Sequence, residues 1–192
     1  MTGNAAMKKA LISALMVAMA ALAGGVAQAQ SDSAAEAPAE APETSTEAFG
    51  DWTVVCVEST PRTCRMTQRL DIQNEQGAGR LLQVTLLKNP EGVVIAMELP
   101  FGLDLRSGVV IRFDENDEIP LPFTTCYASG CQVIAQLAPE HLEEFRNGEQ
   151  MRVGFRAMGQ EQTLVTEVSL SGSSAALESL PEAMSPESAG GE

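Results

Sequence analysis

The chain has 192 residues and a formal net charge of −14, with 26 acids against 12 bases, four cysteines and one histidine. An acidic balance of that size repels phosphate backbones and anionic headgroups, which excludes nucleic acid as a partner. The length suits one domain able to bury roughly two thirds of its unfolded surface, flanked by shorter segments.

In chain order, Lys8 and Lys9 precede an apolar run from Ala10 to Ala23, broken by Gly24 and Gly25 and followed by Ala27-Gln28-Ala29. A positive start, a short apolar stretch and a small-x-small site predict a secretory signal over residues 1–29. The run is shorter than the ~20 residues a spanning helix needs. Cleavage after Ala29 would remove two lysines and no acid, taking the net charge from −14 to −16. No cysteine lies at that site to take a lipid anchor, and no integral membrane segment is expected after cleavage. The expected location is periplasmic, with outer-membrane association or secretion as further destinations.

Residues 30–48 carry Asp32, Glu36, Glu40, Glu43 and Glu47 among Ala, Pro, Ser and Thr, without a base. Residues 178–192 add four glutamates, also without a base. Low hydrophobicity and one-sided charge do not repay the entropy of ordering, so both segments read as disordered: an acidic Ala/Pro linker and an acidic tail. The domain is expected over residues 49–177.

Within it, period-two alternation places Trp52, Val54 and Cys56 on one face. Cys64, Met66, Gln68 and Leu70 alternate with Arg65, Thr67 and Arg69, whose side should face water. Thr60-Pro61-Arg62-Thr63 bends the chain between these strands, and Asn74 to Gly79 reads as a second turn. Leu81–Leu87 and Val93–Leu99 flank Asn89-Pro90-Glu91-Gly92, a hairpin signal. Val109–Phe113 is a further strand, and the two prolines of Ile119–Phe123 suit an edge. Cys131–Leu137 resumes strand character. Pro139–Asn147 is the one expected helix, with Pro in its first turn, Leu142 and Phe145 inward and Gly148 as its stop. Met151, Val153 and Phe155 alternate again, and Leu164, Val168 and Leu170 close the set. The expected fold is mainly β: an immunoglobulin-like β-sandwich of about eight or nine short antiparallel strands with one short helix and two disulfides.

The cysteines carry the strongest chemical signal. Cys56 and Cys64 form one close pair, Cys126 and Cys131 the other, and an even count in an exported chain reads as disulfides. Local pairing is favoured among three connectivities because each pair flanks a turn. Neither pair is C-x-x-C, and His141, the single histidine, has no ligand spacing to them, so neither redox chemistry nor a metal site is expected. The acidic run Asp114–Glu118 lacks the glycine and glutamate of a calcium loop and reads as a solvated hairpin tip. His141 among Glu140, Glu143 and Glu144 makes at best a surface pair. Arg62, Arg65 and Arg69 on one strand face, and Arg152 and Arg156 on another, read as solvated faces, with an anion-recognising patch as the sharper alternative. Neither catalytic residues nor a cofactor are expected.

Three stretches together resemble a known family. Phe49-Gly50-Asp51-Trp52-Thr53-Val54-Val55-Cys56 opens the domain, and Leu121-Pro122-Phe123-Thr124-Thr125-Cys126 with Gly130-Cys131 stands in its middle. Ser169-Leu170-Ser171-Gly172-Ser173-Ser174-Ala175-Ala176-Leu177 closes it, and Gly102-Leu103-Asp104-Leu105-Arg106-Ser107-Gly108-Val109 adds a glycine-rich lead into a strand. In that order they resemble the invasion-associated locus B family of alphaproteobacterial envelope proteins. The resemblance implies a periplasmic or surface-associated β-sandwich in which Phe49, Gly50, Asp51, Trp52 and the cysteines serve structure, and it carries over no catalytic residue. Trp52 reads as a core anchor, with ligand stacking as the alternative.

The expected function is that of a non-enzymatic envelope module recognising an envelope or host protein. Its expected contact element is the rigid edge Ile119–Cys131, with Phe123, Tyr127 and Ser129 in the contact loop, because a disulfide-fixed loop loses little entropy on docking. The alternatives are a structural or stress-related envelope-integrity factor and a small-molecule-binding periplasmic protein.

Overall fold

Alternation in sequence becomes burial in space. Trp52, Val54 and Cys56 are buried while Thr53, Val55 and Val57 are half-exposed, and the same rhythm runs through Val93–Leu99, Val109–Phe113 and Met151–Phe155. The computed structural model describes residues 43–74 and 77–182. Eleven strands and two helices follow one another: β1 Thr44–Phe49, β2 Trp52–Val57, β3 Thr63–Asn74, β4 Gly77–Asn89, β5 Gly92–Leu99, β6 Val109–Phe113, β7 Ile119–Leu121, β8 Thr125–Tyr127, β9 Gly130–Gln136, α1 Pro139–Asn147, β10 Gln150–Arg156, β11 Thr163–Ser169 and α2 Ser173–Ser179.

The strands form a seven-stranded sheet ordered β1-β2-β3-β4-β5-β9-β8 and a four-stranded sheet ordered β11-β10-β6-β7. All pairings are antiparallel. The buried faces of both sheets and the two helices share one apolar core. A β-sandwich is what the alternation predicted, but its strand order departs from the immunoglobulin type. There the chain crosses to the other sheet after its second strand. Here β1 to β5 form an unbroken meander in one sheet, and the chain first crosses after the fifth strand.

Three other expectations change. Thr44–Ala48, assigned to the linker, belong to β1, an edge strand whose side chains are exposed and whose order comes from pairing with β2. Backbone hydrogen bonds supply what its composition does not show. The expected turn at Asn74–Gly79 shortens, because β3 continues to Asn74 and β4 starts at Gly77. A second helix, α2, forms from Ser173 and buries Ala176 and Leu177, so the ordered domain passes residue 177. Beyond it Lys88 Nζ donates to Leu180 O at 3.0 Å and pairs with Glu182 at 2.8 Å, which draws the start of the expected tail onto β4. The expected signal, residues 30–42 and residues 183–192 lie outside the described residues.

An aromatic chain joins the layers. Trp52 of β2 is fully buried and meets Phe145 of α1 edge-to-face at 5.5 Å, and Phe145 meets Phe113 of β6 in the same manner at 6.1 Å. Such pairs contribute about 0.5–1.5 kcal/mol each beyond the area they bury. Helix α1 spans the expected residues, with Phe145 buried and Leu142 packed against the core.

Gly172 decides whether the chain end can reach the β1–β2 turn. Its φ is +82°, and an added Cβ would run into the carbonyl of Phe49. Gly172→Ala should cost about 3–5 kcal/mol, whereas Gly159→Ala, with φ +76° but nothing within 4 Å, should cost only about 1–2 kcal/mol. Urea unfolding of both variants measures the difference, and equal costs would mean that the close approach does not matter.

Candidate functional site

The two end motifs of the domain meet in a polar clasp. Gln68, buried on β3, donates through Nε2 to Asp51 O at 3.1 Å and to Ser169 O at 3.0 Å, and its Oε1 accepts from Ser169 N at 3.1 Å. The Trp52 indole N–H donates to the same Ser169 carbonyl at 3.0 Å. Ser169 Oγ donates to Asp51 Oδ2 at 2.6 Å, and Asp51 N donates to Ser171 O at 3.1 Å. Phe49-Gly50-Asp51-Trp52 and Ser169–Ser173 thus satisfy each other's backbone, as buried polar groups require. Trp52, sealed by this network, offers no ligand a stacking face. The alternation placed Gln68 on the inward face, but gave it no role; a glutamine at a buried strand position is the signal of a partner to be found.

Both disulfides join residues that face one another across adjacent strands: Cys56–Cys64 between β2 and β3, Cys126–Cys131 between β8 and β9. Local pairing follows from register, which sets each pair of Cβ atoms opposite one another.

The three residues expected in the contact loop part company. Phe123 is half-buried and packs against the core, so it supports the loop and does not present it. Tyr127 is 60% exposed at the end of β8. Ser129 holds the hairpin in place: its carbonyl accepts from Arg80 Nη2 at 2.5 Å, and Arg80 also pairs with Glu98. Burial pushes the Glu98 carboxyl up, but the Ser129 hydroxyl, the Arg80 guanidinium and the Gln132 amide outweigh it and hold the group below the usual glutamate range.

Topology sets two more connections beside this hairpin. Leu99, the last residue of β5, pairs with Cys131, so Phe101 emerges near the hairpin tip. Leu103 bridges Ala157, Met158 N donates to Gly102 O at 2.8 Å, and Asp104 N donates to Arg156 O at 2.8 Å, tying the β5–β6 connection to the β10–β11 loop. Three large apolar side chains stand exposed there: Phe101 at 60%, Leu105 at 45% and Met158 at 73%. Asp104 stiffens the first loop by accepting from Ser107 Oγ at 2.6 Å and from Arg106 N at 3.2 Å. The Ser107 hydroxyl accordingly lowers the Asp104 pKa. The sequence reading missed Phe101, Leu105 and Met158; the legible signal was apolar side chains beside turn glycines, at Phe101-Gly102 and Met158-Gly159.

The other charged groups fall into surface roles. Arg62 pairs with Glu58 at 2.9 Å and Arg69 with Asp71 at 2.8 Å, both largely exposed. His141 meets Glu144 at 3.1 Å, the expected helix-surface pair. Asp114, at the head of the acidic run, spends its carboxylate on the backbone N–H groups of Glu149 and Gln150 at 3.0–3.2 Å. Among the described residues no helix is long and apolar enough to cross a membrane.

A stapled β-sandwich clasped through Trp52 is the class these features define. Residues 52–181 match the family model described as invasion associated locus B (IalB) protein, and the chain belongs to that family. Invasion protein B homologs of Brucella abortus strain 2308 and of Brucella abortus biovar 1 strain 9-941 are each 30% identical over 136 residues, which cover 70% of this chain and 78% of each relative. The crystal structure of invasion associated protein B from Bartonella henselae aligns with a TM-score of 0.60 at 25% identity, over 70% of this chain and 94% of that one. The family match runs across α2, in agreement with the longer domain.

Glu98, held ionised, should stabilise the fold at neutral pH, and that contribution should vanish as pH falls from the ordinary glutamate range through its lowered folded value. Thermal unfolding of the native chain and of Glu98→Gln should therefore converge in acid. A gap that persists at low pH would remove the ion pair from the account of how the hairpin is held.

Proposed function

We propose that this chain is an exported, non-enzymatic interaction module of the cell envelope that docks a partner protein through the corner bearing Phe101, Leu105, Tyr127 and Met158. One observation carries the reading: Phe101, Leu105, Tyr127 and Met158 are 45–73% exposed, on connections linked by the Met158–Gly102 and Asp104–Arg156 hydrogen bonds and by the pairing of Leu99 with Cys131. Scattered apolar exposure is ordinary on soluble proteins, but clustered exposure on restrained loops marks interaction sites. Restraint comes from the Cys126–Cys131 disulfide, the Arg80–Ser129 bond and the Asp104 turn, so little conformational entropy is lost on binding. Export is supported by the disulfides, which persist in oxidising compartments, and by the signal read at residues 1–29. The family's description associates its members with invasion, and the relatives in Brucella abortus and Bartonella henselae carry the same word in their names. A partner protein on the envelope or on a host cell fits that description.

Crosslinking from intact cells tests the proposal, with the exported chain compared against a Phe101→Ala/Tyr127→Ala/Met158→Ala variant and a Cys126→Ser/Cys131→Ser variant. The triple variant should lose the crosslinked partner while its unfolding free energy stays within about 1 kcal/mol of the parent, since surface truncations cost little. The disulfide variant should weaken capture through a looser hairpin. Undiminished capture by the triple variant would move the contact away from this corner.

A further inference from the structure

The outer face of the four-stranded sheet is built unlike a solvated face. Register sets Arg112 of β6 directly opposite Arg152 of β10, both on the side away from the core. Like charges facing across a strand pair destabilise a sheet. Arg152 is partly neutralised by Glu115 at 2.9 Å and Glu167 at 3.5 Å, both largely exposed. Arg112 takes part in none of the ion pairs or side-chain hydrogen bonds among the described residues. In the next row outward, Val110, Gly154 and Val165 lie side by side across three strands. The missing side chain at Gly154 leaves a shallow trough between two valines, walled by the Thr163 methyl 3.3 Å from where a Cβ would stand, Val165 being 61% exposed. The result is a groove of about 310 Å³ lined by Val110, Arg112, Glu118, Arg152, Gly154, Thr163 and Val165. It adjoins a small pocket where Arg156 lies, with its Nε buried and unpartnered.

The geometry points to a binding site for a sugar carrying a phosphate or sulfate ester. Two adjacent guanidinium groups supply forked donors for one oxyanion, the arrangement that arginine serves best. The ester would also relieve the repulsion between Arg112 and Arg152. Glu118 and Thr163 offer acceptors for hydroxyl groups, which a bare inorganic anion lacks, so the groove suits a ligand with both functions. The C–H face of a sugar ring fits the trough over Gly154 between Val110 and Val165. The volume stands at the lower end of ligand pockets, enough for one sugar unit. Glu115 and Glu167 do not block the site, because exposed ion pairs exchange partners at little cost. The groove borders the β10–β11 loop of the proposed docking corner through Thr163 and Arg156, but it uses none of Phe101, Leu105, Tyr127 and Met158, so the two sites are tested by different variants.

Titration of the exported chain with glucose 1-phosphate and with a heparin-derived sulfated disaccharide, followed by amide chemical shifts and calorimetry, tests the inference and separates the two sources of ester. Shifts should centre on Val110, Arg112, Gly154 and Val165, glucose should give none, and inorganic phosphate should bind at least about tenfold more weakly than glucose 1-phosphate. Arg112→Gln should weaken binding at least about tenfold while its unfolding midpoint stays level or rises, because it removes a like-charge contact. Gly154→Val, which fills the trough, should abolish binding and leaves a second route if Arg112→Gln misfolds. Binding of either ester with these losses supports the site and names its source. Absence of shifts with both esters up to about 10 mM, or binding unchanged in Arg112→Gln, overturns it.

Discussion

Everything in this fold is referred to Trp52. Its ring is fully buried, its edge rests on Phe145 of α1, and through Phe145 it reaches Phe113 of the opposite sheet. Its one polar atom has to find an acceptor, since an unpartnered indole N–H in the core would cost about 1–3 kcal/mol. The acceptor is Ser169 O, which also receives Gln68. The end of the domain is thereby fixed to its beginning, and α2 follows directly from that anchored point. Ser173 extends the tie by donating to Phe145 O at 3.2 Å.

This arrangement separates the roles of the family's motifs. The Phe49–Trp52 and Ser169–Ser173 stretches spend their polar groups on each other, so little is left for a partner. The Cys126–Cys131 motif lies on a short edge strand, where the disulfide and the Arg80–Glu98–Ser129 contacts hold a hairpin against solvent. The exposed apolar side chains Phe101, Leu105, Tyr127 and Met158 stand on connections outside this clasp.

Much of the scaffold was legible before any coordinates. Inward faces of β2, β5, β6 and β10 followed from alternation, α1 from its proline start and periodic apolar pair, and both disulfides from spacing around turns. What escaped was order supplied from outside the segment concerned. Strand β1 is polar and acidic and is held by hydrogen bonds to β2. Helix α2 is a short Ser/Ala stretch whose Leu177 matters because a core waits for it. In the contact loop, Phe123 and Tyr127 are both aromatic, yet one packs inward and the other stands in solvent.

The residue order alone determined the mainly-β class, the presence of two close cysteine pairs, the acidic balance and the identity of most core positions. Those properties depend on local period, turn chemistry and composition, all of which are written along the chain. Tertiary structure decided the strand order, the tie between the Gly102–Asp104 connection and the loop bearing Met158, and the facing of Arg112 and Arg152 one row from the glycine trough. Each brings together residues far apart in sequence, through register between strands that no local pattern specifies. Register is set by which core faces fit together, and that is a property of the packed molecule.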